Sequence, residues 1–246
     1  MTIMRTLTLL VAIIAGAVLV NAVYLAIVLY RGGALADQSE AYQQRPLHTG
    51  IRMLVIGDST GVGTGADAPA QSVAGRLGRL SPRLALINLA VDGAKTHEAM
   101  AQLKAAPHAV YDVLLIQVGG NDVLRFTDID ELRATTIALL RAAKSKAHYV
   151  VMMSSGDVGA APAFLPPVDW VYSWRTRQVR ALFLELTRSE RVDYVDLYNP
   201  GDDNPFKQDP KRYYASDGLH PSGEGYRLWF EQLIAQSSIA ARLAQP

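Results

Sequence analysis

The sequence predicts an α/β protein in which a parallel sheet of about five strands is covered by helices on both faces, behind an apolar N-terminal helix. Three observations carry this. Short apolar runs without polar alternation, the first being Leu54, Val55 and Ile56, alternate with helix-patterned segments, as expected of strands buried on both faces. Polar, glycine-containing clusters follow the first, second, third and fifth of these runs. Residues 6–30 contain no charged residue.

That last stretch sets the domain plan. As a helix at ~1.5 Å per residue, 6–30 covers roughly 37 Å, more than the ~30 Å hydrocarbon thickness of a bilayer. It is also longer than the ~7 to 15 residues of a signal-peptide core, although Ala34-Leu35-Ala36 resembles a small-residue cleavage site. The expectation is an uncleaved single-pass anchor over 1–30. A polar linker over 31–50 follows, with Gly32, Gly33, Asp37, Glu40, Gln43 and Gln44, and then one domain over 51–246. Arg5 and Arg31 flank the apolar run and leave its orientation open by charge, with an extracytoplasmic domain as the working expectation.

Composition narrows the function classes. A chain of 246 residues with 50% hydrophobic residues can bury a sizeable core as one domain plus an appendage. A net charge of +1, without a Lys/Arg stripe interleaved with aromatics, argues against a nucleic-acid partner. The absence of cysteine excludes disulfides, thiolate metal sites and a cysteine nucleophile, and says nothing of compartment.

The elements of the domain follow in order. The first strand stops at Gly57-Asp58-Ser59, and Gly61, Gly63 and Gly65 let the chain turn sharply there. This places Ser59 at a carboxyl-terminal strand end, where open α/β sheets hold their sites. Other readings exist: an ordinary strand-to-helix turn capped by Asp58 or Ser59, or a dinucleotide loop through Gly61, Gly63 and Gly65. The loop lacks a phosphate-loop lysine, and Asp92 lies too far on for the ribose-binding acid. A helix is predicted over 70–80, a second strand over 84–91 ending in Asp92-Gly93, and a short helix over 96–105. The third strand, 113–118, ends in Gly119-Gly120-Asn121-Asp122, and helix 129–146 leads to strand 149–153. Residues 156–174 read as a long apolar, proline-rich connection, with Phe164, Trp170 and Tyr172 as candidate substrate-binding residues in a wall or lid, or as an extra packing layer. Helix 178–189, strand 192–197, a polar loop to Asp217-Gly218-Leu219-His220 and helix 224–233 complete the chain.

Four chemically rich loops thus converge on one sheet edge. A serine hydroxyl needs a neighbouring base to become a nucleophile, and His220 is the best placed of five histidines. Asp217, three positions earlier on a glycine-containing loop, suits the role of orienting the imidazole. The set Gly57-Asp58-Ser59, Gly93, Gly119-Gly120-Asn121-Asp122 and Asp217-Gly218-Leu219-His220-Pro221 resembles the SGNH, or GDSL-type, hydrolase family. The likeness runs from Arg52 to Leu233, and Thr60 departs from the leucine of the named tetrapeptide.

The resemblance implies a three-layer α/β/α, flavodoxin-like fold and ester hydrolysis. It implies Ser59 as nucleophile, His220 as base with Asp217 as its partner, and Ser59, Gly93 and Asn121 as oxyanion donors. Asp122 is expected to brace its loop and Asp58 to fix the turn. This chemistry needs neither metal nor organic cofactor, and the expected substrate is a small-molecule or lipid-like ester. The expected activity is that of an esterase, lysophospholipase or thioesterase, with a carbohydrate O-acetylesterase or a non-catalytic binding protein as alternatives. Because every site residue lies beyond Arg52, the anchor is expected to be dispensable for chemistry.

Overall fold

The computed structural model describes residues 2–244. The chain begins with α1 (Thr2–Gln38) and continues through β1 (Ile51–Gly57), the single turn α2 (Ser59–Val62), α3 (Val73–Leu80), β2 (Leu84–Asn88) and α4 (Thr96–Ala105). Then come β3 (Tyr111–Gln117), α5 (Gly120–Leu124), α6 (Ile129–Lys146), β4 (Ala147–Met153), α7 (Val168–Glu190) and β5 (Asp193–Val195). Two short helices, α8 (Pro205–Gln208) and α9 (Pro210–Tyr213), precede α10 (Gly223–Gln236) and α11 (Ile239–Leu243).

The five strands pair in parallel in the order β2-β1-β3-β4-β5. Alternate residues feed the two faces. Leu54, Ile56, Leu114, Ile116 and Met152 pack with α4, α6 and α7, while Met53, Val55, Val113, Leu115 and Val151 pack with α3 and α10. Leu54, Val55 and Ile56 are fully buried, which is why their run shows no polar alternation. The chain order reverses between β1 and β3, and their carboxyl ends define the crevice where such sheets hold ligands.

Three segments differ from expectation. First, α1 runs on through Gln38, so much of the expected linker is helical. Glycine costs about 1 kcal/mol against alanine in a helix interior, so the pair Gly32–Gly33 carries a cost that packing must offset. From Tyr24 onward α1 lies on the domain: Tyr24 and Leu25 pack against the core, Val28 is buried, and the Tyr24 hydroxyl donates to the Pro162 carbonyl (2.9 Å). Second, Gln44 pairs with Leu86 through two backbone hydrogen bonds (3.0 and 2.9 Å), and the Gln43 side chain bonds both backbone groups of Asn88 (2.7 and 3.1 Å). These residues satisfy part of the exposed edge of β2.

Third, α7 begins at Val168 and takes in the last seven residues of the expected 156–174 loop. The prolines before it read as loop in the sequence, yet a helix start accommodates proline because its first N–H groups have no internal partner. Strands β2 and β5 are shorter than their apolar runs suggest, since both lie at sheet edges where pairing ends early.

Candidate active site

Ser59 opens α2 directly after β1. Asp58 caps that turn, its Oδ1 accepting from the Thr60 backbone N–H (2.9 Å) and hydroxyl (2.7 Å). Gly57, with φ +148°, is held so closely to β3 that a Cβ would stand 1.9 Å from the Gln117 carbonyl oxygen. Only glycine allows this approach. Buried amides fix the loop further. The Gln102 side chain bonds both the N–H (2.7 Å) and the C=O (2.8 Å) of Gly57, and the amides of Asn88 and Gln117 donate to the Gly61 and Thr60 carbonyls (2.8 and 3.2 Å). Sequence reading missed these three residues. Asn88 and Gln117 carried a signal, polarity inside or at the end of an otherwise apolar run; Gln102, on the mixed helix α4, carried none.

The loop after α9 brings Asp217 and His220 to this serine. The Ser59 Oγ and His220 Nε2 lie 2.9 Å apart, and His220 Nδ1 lies 2.6 Å from Asp217 Oδ2. Asp217 is buried, and its other oxygen accepts from the backbone N–H groups of Leu219 (3.0 Å) and His220 (3.1 Å). Burial opposes its charge, but the imidazole and those two donors outweigh this and hold the carboxyl below its ordinary range. Gly65 seats the two loops against each other: at φ +96°, a Cβ there would stand 2.6 Å from the Pro221 carbonyl oxygen and 3.0 Å from His220 Cβ.

Burial pushes the Asp58 carboxyl up to about 6 from its ordinary 3.8, against the two hydrogen bonds from Thr60. Gly93, at φ +75°, and Asn121, on α5, border the same cavity as Ser59 and His220. The Asn121 amide donates to the Ala94 carbonyl (3.2 Å), tying the β2 and β3 loops together. Asp122 points away and accepts from the Thr96 N–H (3.0 Å) and hydroxyl (2.6 Å), so it anchors the start of α4. The structure thus gathers Ser59, Gly93, Asn121, Asp217 and His220 at one place. No group of three or more His, Asp or Glu side chains able to hold a metal occurs among the described residues.

The cavity beside Ser59 measures about 410 Å³. Phe164, Trp170 and Tyr172 do not line it, which corrects their expected substrate-binding role. Phe164 is buried in the core with the Tyr172 ring packed against it at a tilt (ring centroids 4.4 Å), and Trp170, on α7, is 68% exposed. The 156–174 segment still forms a wall, but through Gly156, Asp157, Val158, Ala160 and Ala161. The first turns of α7 hold that wall: the Ser173 hydroxyl donates to Asp157 (3.0 Å), and the Val158 N–H to the Thr176 hydroxyl (3.3 Å). The opposite wall is unexpected. Val28, Leu29, Gly32, Gly33 and Ala36 of α1 border the cavity, although the likeness read from the sequence begins only at Arg52.

A serine bonded to an imidazole that is bonded to a buried carboxylate, at the carboxyl edge of a parallel sheet, defines a site of serine-hydrolase type. The profile of the GDSL-like lipase/acylhydrolase family matches residues 55–228, and the chain belongs to that family of serine ester hydrolases. Comparison with curated proteins gave no match. Among solved structures, the acetylxylan esterase Axe2 from Geobacillus stearothermophilus is similar at 18% identity over 82% of this chain and 98% of its own, with a TM-score of 0.54. A G-D-S-L family lipolytic protein from Veillonella parvula is similar at 18% identity, over 75% of this chain and 96% of its own (TM-score 0.56). The hydrolase LAE5, from a Lake Arreo metagenome, is similar at 17%, over 81% and 99% (TM-score 0.57). At these identities the likeness is one of fold.

Proposed function

We propose that this chain is a membrane-anchored serine esterase that cleaves carboxylic esters through Ser59, His220 and Asp217. The observation that carries the reading is the unbroken chain of contacts from Ser59 Oγ through the two ring nitrogens of His220 to Asp217. With Nδ1 protonated and bonded to Asp217, Nε2 is free to accept the serine proton as Oγ attacks the acyl carbonyl. The developing oxyanion is stabilised by the N–H groups of Ser59 and Gly93 and by the Asn121 amide. The protonated imidazole then gives its proton to the leaving alcohol as the ester C–O bond breaks. Water, deprotonated by the same nitrogen, attacks the acyl-enzyme and releases the acid.

Anchoring rests on α1. The part of it that precedes the docked turns, residues 6–23, carries no charged residue and as a helix at ~1.5 Å per residue covers about 27 Å, near the thickness of a bilayer core. Ala36, at the end of the cleavage-like triplet, borders the cavity, which favours retention of the helix. An O-acetylesterase acting on carbohydrate is the competing reading, suggested by the likeness to Axe2. The apolar walls around Ser59 favour acyl chains instead.

The test is hydrolysis of p-nitrophenyl acetate, butyrate and octanoate by the full chain, with Ser59→Ala as control. The reading expects turnover that Ser59→Ala abolishes and a preference for chains longer than acetyl. Activity confined to acetyl esters supports the O-acetylesterase, and turnover by Ser59→Ala rejects both.

A further inference from the structure

We propose that the last turns of α1 form the acyl-binding wall of this site and that Gly33 sets the length of chain accepted, an inference that rests on Ser59 being the nucleophile. Val28, Leu29, Gly32, Gly33 and Ala36 follow the i, i+1, i+4, i+5, i+8 spacing of one helix face, and all five border the cavity that holds Ser59 and His220. A membrane segment whose only task was tethering would have no reason to turn a consistent face into the site.

The two glycines differ in what surrounds them. A Cβ on Gly32 would stand 3.4 Å from Asp217 Oδ2 and 3.9 Å from His220 Cε1, so the helix backbone lies directly against the acid–imidazole pair. The wall therefore begins at the reacting centre. A Cβ on Gly33 would meet nothing within 4 Å, so this position leaves open volume that a substrate can fill.

The chemistry of the wall selects the ligand. None of its five residues carries a polar side chain, so it offers van der Waals contact and exclusion of water but no hydrogen bond to a sugar hydroxyl. Leu124, Val158 and Leu219 border the same cavity from other elements. An acetyl group would leave most of the roughly 410 Å³ unfilled, whereas a chain of medium or greater length would lie along α1. The helix continues away from the site through residues 2–23, about 33 Å at ~1.5 Å per residue, close to the thickness of a bilayer core. A hydrocarbon chain leaving lipid would thus follow a single helix on its way to Ser59. The substrate class is an ester carrying a long aliphatic acyl chain.

The test uses the full chain in detergent micelles, with kcat/KM measured on p-nitrophenyl octanoate and acetate. Gly33→Leu and Gly33→Phe fill the open volume, and leucine also favours the helix. Gly16→Leu, equally free of neighbours but remote on the same helix, controls for altered insertion. The ratio of octanoate to acetate kcat/KM should fall at least 10-fold in Gly33→Phe and less in Gly33→Leu, while Gly16→Leu keeps the wild-type ratio. A ratio within two-fold of wild type in both Gly33 variants overturns the wall, and so does an equal fall in Gly16→Leu. Ser59→Ala separates the two levels. If it keeps turning over ester, the nucleophile assignment fails and the wall with it; if it is inactive while the Gly33 ratio stays unchanged, the wall alone is wrong.

Discussion

The cavity has two sides of different origin. One is polar and built from loops at the carboxyl ends of β1, β2 and β3 and from the Asp217–His220 turn. The other is apolar and comes from a helix that precedes the whole sheet. On the polar side, much of the geometry is local, a glycine at positive φ, a capped turn, a carboxylate three residues before its imidazole, with buried amides such as Gln102 bracing the loops from farther along the chain. On the apolar side, position depends on a long-range docking in which Tyr24 bonds Pro162 and Gly32 meets Asp217. On the proposed reading, reactivity and selectivity are carried by parts of the chain with separate constraints, so Gly33, with nothing within 4 Å of its Cβ position, can be changed without pressing on the Asp217–His220 pair that Gly32 approaches.

The largest effect should come from His220→Ala. Loss of the base should lower kcat by ~10⁴-fold or more, with the fold retained by circular dichroism. A variant that kept substantial activity would break the assignment of this side as the reactive one.

Asn121→Ala comes next. A donor that meets the oxyanion more strongly than the ground-state carbonyl should cost ~10² to 10³ in kcat with little change in KM. Asn121→Asp should be at least as harmful, because it sets a negative charge against the oxyanion. Since Asn121 also ties its loop to Ala94, folded fraction should be measured alongside; activity lost only in proportion to folded protein makes it a turn residue.

How much of this was legible follows the same division. The alternation of apolar runs with helical segments is a local signal, and the sheet and its order of elements could be read from it; Ser59, Asp217 and His220 stood out as polar residues in the loops that follow, whereas Gly93 and Asn121 rested on the family resemblance. The start of helix α7 was hidden because Pro166, Pro167 and its aromatics look like loop, and Phe164, Trp170 and Tyr172 drew attention only as aromatics in a long apolar, proline-rich connection. The α1 wall left no distinct signal. Apolar residues that face a cavity and those that face lipid look the same in sequence, and only the costly pair Gly32–Gly33 inside a helix hinted at a close approach.

Asp58 sharpens the polar side through stability rather than rate. Its pKa is raised from 3.8 to about 6, so the folded chain holds this proton more tightly than the unfolded chain. The stabilisation is full below about pH 4 and lost as pH rises through about 6, roughly 3 kcal/mol at most. Asp58→Asn keeps an oxygen to accept from Thr60 and has no proton to lose, so urea unfolding between pH 4 and 7 should show the decline in wild type and its reduction in the variant. Parallel curves would mean that Asp58 does not titrate in this window.

The smallest expected effect is Gly65→Ala, where the positive φ and the approach to the Pro221 carbonyl should cost about 1 to 3 kcal/mol. Activity should fall with it, since the strain acts where the serine and histidine loops meet. Unchanged stability would mean the loops can part without cost.

The central claim is that Ser59 is the nucleophile and that His220 activates it. The most direct measurement is to treat the full chain with a fluorophosphonate and locate the adduct by peptide mass spectrometry. The account predicts a single adduct on Ser59, formed rapidly in wild type and suppressed in His220→Ala. An adduct on another residue, or labelling of Ser59 at an undiminished rate in His220→Ala, would contradict it.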